Sequence, residues 1–294
     1  ATFRTADVVG IDTLVKVAKG VYDNCPQDEA RDAFQIPTWL NKVVEKNWLG
    51  DKTGQGFFSK RKNEKGEKEI YTLDLKTLEY APRVKPKFAS VDAAKPVDDL
   101  KQRLKMLVAA PDKAGEFLRH FHYGLFSYIS HRIPEISDEV YRIDDAMMAG
   151  FGWEIGAFES WDVLGVDKTI QAMKTAGYSV APWVEEMVAT GNKTFYKVEG
   201  GQTLCYDPQS KSYKPVPGGK DFIILSNFKD KLVWKNAACN VYDIGDEVLG
   251  IQWNTKMNSI GGDVLSGINK AIELAEKNYK GLVIANEGPN FSAG

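Results

Sequence analysis

Apolar positions three and four residues apart mark three helices in the middle of the chain, near residues 97–109, 112–132 and 137–149. In the second, Phe117, Phe121, Leu125, Tyr128 and Ile129 fall on one stripe. Pro111-Asp112 starts that helix and Pro134 follows its end. Ser137 can cap the next helix and Gly150 can terminate it. From about residue 240 the spacing changes. Residues 240–245 and 248–253 read as strands flanking Asp246-Glu247 in a hairpin. A helix follows, with Val264, Leu265, Ile268, Ile272 and Ala275 on one face, and then an apolar strand over 281–286. Strand, helix and strand in so short a span imply a parallel pair joined by a crossover. The second strand runs into a glycine loop, Asn290-Phe291-Ser292-Ala293-Gly294, at the strand end where open α/β units place ligands.

The pattern also repeats. Phe3-Arg4-Thr5-Ala6-Asp7-Val8-Val9-Gly10-Ile11-Asp12 matches Phe158-Glu159-Ser160-Trp161-Asp162-Val163-Leu164-Gly165-Val166-Asp167, with Phe, Asp, Val, Gly and Asp at one offset. Each block runs into a helical spacing: Leu14, Val15 and Ala18 in one, Ile170 and Met173 in the other. A second echo joins residues 74–82 to 207–215, each a hairpin with an Asp-led turn. Tandem related domains are expected. The helices ahead of Phe158 have no counterpart ahead of Phe3, so the first copy reads as truncated. Its apolar helix faces then need cover from the second copy or another chain. Residues 83–96, rich in Pro, Ala and Lys, read as a linker, and 216–221 mark the next break.

Composition narrows the function classes. A formal net charge of −2 gives no support to a nucleic-acid or membrane-surface partner. No apolar run reaches the ~18 residues of a membrane span. The start, Ala1-Thr2-Phe3-Arg4, lacks the regions of a signal peptide. Cys25, Cys205 and Cys239 are odd in number and far apart, which fits a reducing, cytoplasmic setting with idle thiols and no zinc set.

Two family resemblances follow from these residues. The repeated block, together with Trp48-Leu49-Gly50-Asp51-Lys52-Thr53-Gly54-Gln55-Gly56-Phe57-Phe58, resembles the C-terminal helical domain of 3-hydroxyacyl-CoA dehydrogenases. Gly150 to Glu159 resembles that family's second copy, so the likeness covers about residues 1–215. Residues 240–294 resemble the beginning of an enoyl-CoA hydratase (crotonase) domain, with Phe291-Ser292-Ala293-Gly294 matching its CoA-site loop. That order is found in bifunctional enzymes of fatty-acid β-oxidation.

The resemblance implies a mainly α fold: tandem helical dehydrogenase C-terminal-like domains, each with a small β-hairpin, then an incomplete α/β crotonase-like segment. Its expected divisions are a truncated first domain over 1–82, a linker over 83–96, a second domain over 97–217, a connector over 218–239 and the crotonase-like part over 240–294. It implies a parent that oxidises 3-hydroxyacyl-CoA with NAD and hydrates enoyl-CoA, with a coenzyme A thioester as substrate and a homodimer as assembly. The nucleotide fingerprint GxGxxG after a strand is absent here, so NAD is expected on a missing upstream domain. The hydratase half implies backbone N–H groups that stabilise an enolate. One of them belongs to the residue after Gly294, and the catalytic glutamates lie further on. No catalytic residue is therefore expected in this piece, which should be inactive alone. Lys256, Ser292, Ala293 and Gly294 are the expected coenzyme A contacts, Lys256 also reading as a solvated lysine. Alternatives are a non-catalytic helical dimerisation or docking module, and a crotonase-type isomerase.

Other chemistry-bearing residues have simpler readings. His120, His122 and His131 lack a completing acid or cysteine and read as surface or hydrogen-bonded residues. Asp144-Asp145 and Glu185-Glu186 diverge on a helix and read as solvated faces or caps. Asp7 and Asp162 precede helical patterns and read as N-caps or turn residues. The tryptophans, such as Trp39, Trp48 and Trp183, read as core anchors.

Overall fold

A computed structural model describes residues 2–62, 66–219, 222–288 and 290–294. Lys220 and Asp221 of the expected break, and Ala1, lie outside the described residues. The chain divides into two compact units, Ala1–Phe88 and Ala89–Gly294.

In the first unit, helices α1 (Thr2–Val9) and α2 (Ile11–Asn24) meet at Gly10, whose φ of 110° only glycine adopts without strain. Helix α3 (Thr38–Glu45) follows, then the antiparallel strands β1 (Phe58–Lys62), β2 (Lys68–Leu73) and β3 (Tyr80–Pro82) in that order. Ile11, Leu40, Val43, Phe57 and Leu73 form the core between helices and sheet.

The second unit opens with α4 (Ala89–Ala94), α5 (Leu100–Ala109), α6 (Lys113–His131) and α7 (Val140–Phe151). Helices α8 (Ala157–Leu164), α9 (Val166–Thr175) and α10 (Pro182–Ala189) come next, with the sheet β4 (Tyr196–Glu199), β5 (Gln202–Asp207), β6 (Ser212–Pro215). Asp99 and Asp112 cap α5 and α6 by accepting from Gln102 N–H and Gly115 N–H. Helix α7 ends at Gly152 in the left-handed region, two residues beyond the expected Gly150. Phe126 of α6 stacks on Trp161 of α8, centroids 4.8 Å apart and planes 2° from parallel, at the centre of this core. The expected α6 stripe holds in part: Ile129 is buried and Leu125 and Tyr128 are half-buried, but Phe117 and Phe121 are exposed, and His122, Phe126 and Ser130 are covered in their place.

The chain then forms β7 (Leu232–Lys235), β8 (Cys239–Asp243), β9 (Val248–Trp253), α11 (Gly262–Asn278) and β10 (Gly281–Ile284). The sheet order is β10-β9-β8-β7. Only β9 and β10 are parallel; the other pairs are antiparallel. Val264 and Ala271 of α11 close this core over Val241, Leu249 and Ile251.

These observations correct the expected fold class. The described residues hold ten strands in three separate sheets, so the chain is not mainly α with small hairpins. Each expected hairpin is a three-stranded meander. The terminal segment is a mixed, mostly antiparallel sheet, not the expected incomplete α/β crotonase-like piece. Strand β7, in residues expected as a connector, is the clearest instance. It is a short edge strand with Leu232 and Val233 about 40% exposed, and it lacks the strict alternation that betrays a half-buried strand. Residues 89–94 of the expected linker are helical as α4.

Candidate functional site

The repeated aspartates are the structural centre of both copies. Asp7 lies inside α1, fully buried, and its carboxylate accepts from Phe57 N–H at 2.7 Å and Phe58 N–H at 2.9 Å. Asp162 inside α8 accepts from Phe195 N–H at 2.7 Å and Tyr196 N–H at 2.8 Å. Neither is an N-cap. Each clamps a helix to the first strand of its sheet. The same neighbours recur. Phe3 meets Phe57 edge-on at 4.8 Å and 66°, and Phe158 meets Phe195 at 4.8 Å and 67°. Tyr80 O–H donates to Gly56 C=O at 2.5 Å, and Tyr213 O–H donates to Thr194 C=O at 2.5 Å. Trp39 and Trp183 pack against the same two phenylalanines, which pairs α3 with α10.

The glycine-rich turn at 50–56 serves this clamp. A Cβ on Gly50, where φ is +98°, would lie 2.2 Å from Asp7 C=O, and one on Gly56 would lie 2.2 Å from Asp7 Oδ1. Only glycine lets this backbone rest on the aspartate. Thr53 Oγ1 accepts from Leu49 N–H at 2.9 Å, Lys52 pairs with Asp12, and Arg4 forks onto Asp51 at 2.6 and 2.7 Å. The turn is an internal brace and holds no P-loop geometry.

The second copy adds a carboxylate. Asp144 of α7 accepts from Phe158 N–H at 2.8 Å, Glu159 N–H at 3.0 Å and Tyr196 O–H at 3.0 Å. Burial pushes its carboxyl up to about 6 and that of Asp162 up to about 7, against the opposing pull of their N–H donors. Burial likewise pushes the Cys205 thiol up to about 12 and raises Tyr196. Perturbed carboxyls near neutrality are suited to acid–base work. Here the lone pairs of Asp162 meet backbone donors and those of Asp144 meet donors from three residues. Their chemistry is that of buried anchors.

The histidines and the paired glutamates are occupied. His122 is buried, with Nδ1 at 2.7 Å from Leu118 C=O, and desolvation lowers its pKa. His120 meets Tyr178 O–H at 3.1 Å and His131 meets Ser127 C=O at 2.8 Å. Glu185 pairs with Lys174 and Glu186 with Lys211 on the surface. Among the described residues no group of three or more His, Cys, Asp or Glu could hold a metal ion.

The residues expected to meet coenzyme A lie beyond the ends of β9 and β10. Ala293 N–H donates to Met257 C=O at 3.2 Å, and Ile260 N–H donates to Gly294 C=O at 2.9 Å. Asn258 Nδ2 reaches Asn290 C=O at 2.8 Å, and Trp253 meets Phe291 edge-on at 5.7 Å. The turn carrying Lys256 is thus joined to the segment carrying Ser292, Ala293 and Gly294. Ser292 Oγ accepts from Gly294 N–H at 3.0 Å, and the Lys256 side chain stands exposed.

No helix among the described residues is long and apolar enough to cross a membrane. Residues 1–60 match the family described as 3-hydroxyacyl-CoA dehydrogenase, C-terminal domain. The whole chain is similar to a probable 3-hydroxyacyl-CoA dehydrogenase of Bacillus subtilis, 40% identical over 296 aligned residues. It is 25% identical, over 99% of its length, to a putative fatty acid oxidation complex trifunctional enzyme of Rickettsia felis. Residues covering 24% of the chain are 39% identical to 20% of a probable 3-hydroxyacyl-CoA dehydrogenase of Deinococcus radiodurans. The chain spans 36% of the length of the Bacillus and Rickettsia relatives. Residues 1–60 are thus similar to the 3-hydroxyacyl-CoA dehydrogenase C-terminal domain, and the chain as a whole is similar to part of a probable dehydrogenase.

Proposed function

We propose that the chain is a central part of a longer NAD-dependent 3-hydroxyacyl-CoA dehydrogenase of fatty-acid oxidation. The longer protein also hydrates enoyl-CoA. The observation that carries this reading is the 40% identity to a probable dehydrogenase along the entire chain. The trifunctional name of the Rickettsia relative favours the second activity. In this reading the described units supply walls of the acyl-CoA site and a homodimer surface. Oxidation removes a hydride from the carbinol carbon and a proton from its oxygen, which needs a poised base. Asp7, Asp144 and Asp162 are committed to structural donors and do not offer one. The residues present also do not fit NAD. The chain lacks the dinucleotide fingerprint, and the Gly150–Gly156 run closes a helix where such a site needs a strand. No step through NAD is therefore assigned to these residues.

Lys256, Ser292, Ala293 and Gly294 contact coenzyme A in this proposal. The lysine ammonium faces the phosphates, and the backbone of 292–294 lines the thioester arm. The test compares the 294-residue chain with the longer protein, following reduced NAD by absorbance and coenzyme A binding by calorimetry. The longer protein should turn over 3-hydroxyacyl-CoA. The chain alone should not, but should bind coenzyme A more weakly after Lys256→Ala. An inert longer protein overturns the activity, and coenzyme A binding indifferent to Lys256→Ala overturns the site.

A further inference from the structure

The two copies carry the same depression with opposite character. In the first, a hollow of about 650 Å³ on the open face of the sheet is lined by Arg4, Asp51, Phe58, Lys60, Ile70 and Arg83. In the second, the matching place includes Glu159, Tyr196, Thr203 and Val216. The shared bonds fix the correspondence. Asp7 and Asp162 align Arg4 with Glu159 and Phe58 with Tyr196. Arg83 N–H donates to Ile70 C=O at 2.9 Å, as Val216 N–H donates to Thr203 C=O at 3.0 Å. In the second copy α7 lies over this face with Tyr141, Asp144, Asp145 and Met148. Asp144 reaches from it to the N–H groups that open α8 and to Tyr196.

In the first copy, among the described residues, no helix plays that part. The cost is visible in equivalent side chains: Phe3 is 49% exposed where Phe158 is 0%, and Val9 is 57% exposed where Leu164 is 6%. The first copy is also more cationic here. Arg4 replaces Glu159, Lys60 replaces Val198 and Arg83 replaces Val216. Asp51 is consumed by its fork with Arg4. The Arg83 guanidinium lies 5.3 Å from the Phe58 ring centroid, and neither it nor Lys60 has an ion-pair partner among the described residues. An apolar floor of Phe58 and Ile70 lies under a rim where Arg4, Lys60 and Arg83 face, among the described lining residues, the single carboxylate of Asp51, and this excess of positive charge suits an amphipathic helix that carries carboxylates.

We propose that this face of the first copy docks an acidic helix, seated as α7 is seated on the second copy. A carboxylate of that helix meets the N–H groups that open α1, and a second lies against Lys60 and Arg83. The helix comes from another part of the longer protein, since the chain spans only 36% of its Bacillus and Rickettsia relatives.

The α7 segment itself, residues 137–155, is a probe of the required chemistry. It is labelled and titrated into the 294-residue chain, and also fused to the chain through a Gly/Ser linker, so that weak binding is read at high effective concentration. Free peptide should bind saturably and perturb nuclear magnetic resonances of residues 2–9 and 58–83. The fusion should raise the unfolding midpoint of the first unit. Lys60→Glu with Arg83→Glu should weaken binding by about tenfold, as two reversed surface pairs imply. Asp144→Asn with Asp145→Asn in the probe should weaken it comparably. Failure of both formats overturns the proposal. Binding indifferent to those charges overturns it too. So does binding of pyrophosphate or ADP at this face without the peptide, which would mark a small-anion site.

Discussion

Replacing Asp162 removes one acceptor group and strands two donors. Phe195 N–H and Tyr196 N–H bond to its carboxylate at 2.7 and 2.8 Å, and Phe195 is 0% exposed, so water cannot take the place of the lost oxygens. An unsatisfied buried N–H costs about 1–3 kcal/mol, so Asp162→Ala should destabilise the second unit by about 2–6 kcal/mol. Asp162→Asn keeps one acceptor and turns an amide NH₂ toward the other donor, so it should cost roughly half as much. The desolvation that raises the Asp162 carboxyl is relieved by either substitution, which places the Ala variant toward the lower end at alkaline pH. Denaturant unfolding followed by tryptophan emission is the assay, because Trp161 and Trp183 lie beside Phe195. An Ala variant within about 0.5 kcal/mol of wild type, the range of an ordinary surface change, would refute the clamp. So would an Asn variant less stable than the Ala variant.

Other expectations follow from the same geometry. Gly50→Ala forces a Cβ to within 2.2 Å of Asp7 C=O at a φ of +98° and should destabilise the first unit by about 2 kcal/mol or more, read as a lowered thermal midpoint; an unchanged midpoint would mean the turn does not rest on Asp7. Folding raises the carboxyls of Asp144 and Asp162 from 3.8 to about 6 and about 7, so the folded state holds their protons more tightly. The stability this contributes is full below about pH 4 and is lost as pH rises through 6 and 7. The second unit should therefore unfold at a lower midpoint at pH 8 than at pH 5, and Asp162→Asn should flatten that difference. Cys25 is exposed whereas Cys205 and Cys239 are buried, so a thiol reagent should label one site in the native chain and three after denaturation.

The duplication was legible because Phe, Asp and Gly recur in register. What the aspartates do was not, because Asp7 bonds fifty positions away and nothing near it in sequence names that partner. Asp144 illustrates the same limit: a carboxylate beside another carboxylate on a helix reads as solvated, and only the packing of α7 on α8 buries it. The pairing of α3 with α10 did leave a trace, a tryptophan shortly after Pro37 and directly after Pro182, but one shared residue in an apolar stretch carries little weight. Helix α6 is apolar on more than one side, so its periodicity could not choose between Phe121 and His122 as the covered flank. The glycine loop at a strand end was legible from local pattern, and its residues and Lys256 are expected to meet coenzyme A only through the resemblance to a crotonase loop. Their mutual bonds could not be read, since the left-handed turn at Met257 and Asn258 that aims the backbone at the terminal segment falls on residues not known for that conformation in the first case.

The aspartate clamp also governs how far the two copies could drift apart. Asp7 closes over 50 residues to reach its sheet, and Asp162 closes over 33. Loop closure grows only with the logarithm of length, so that difference amounts to about 0.4 kcal/mol. Insertions in the surface loops between helix and strand are therefore nearly silent to stability, while loss of the aspartate is not. A duplicated gene held by such a fastening can lengthen or shorten those loops and still return the same helix to the same sheet.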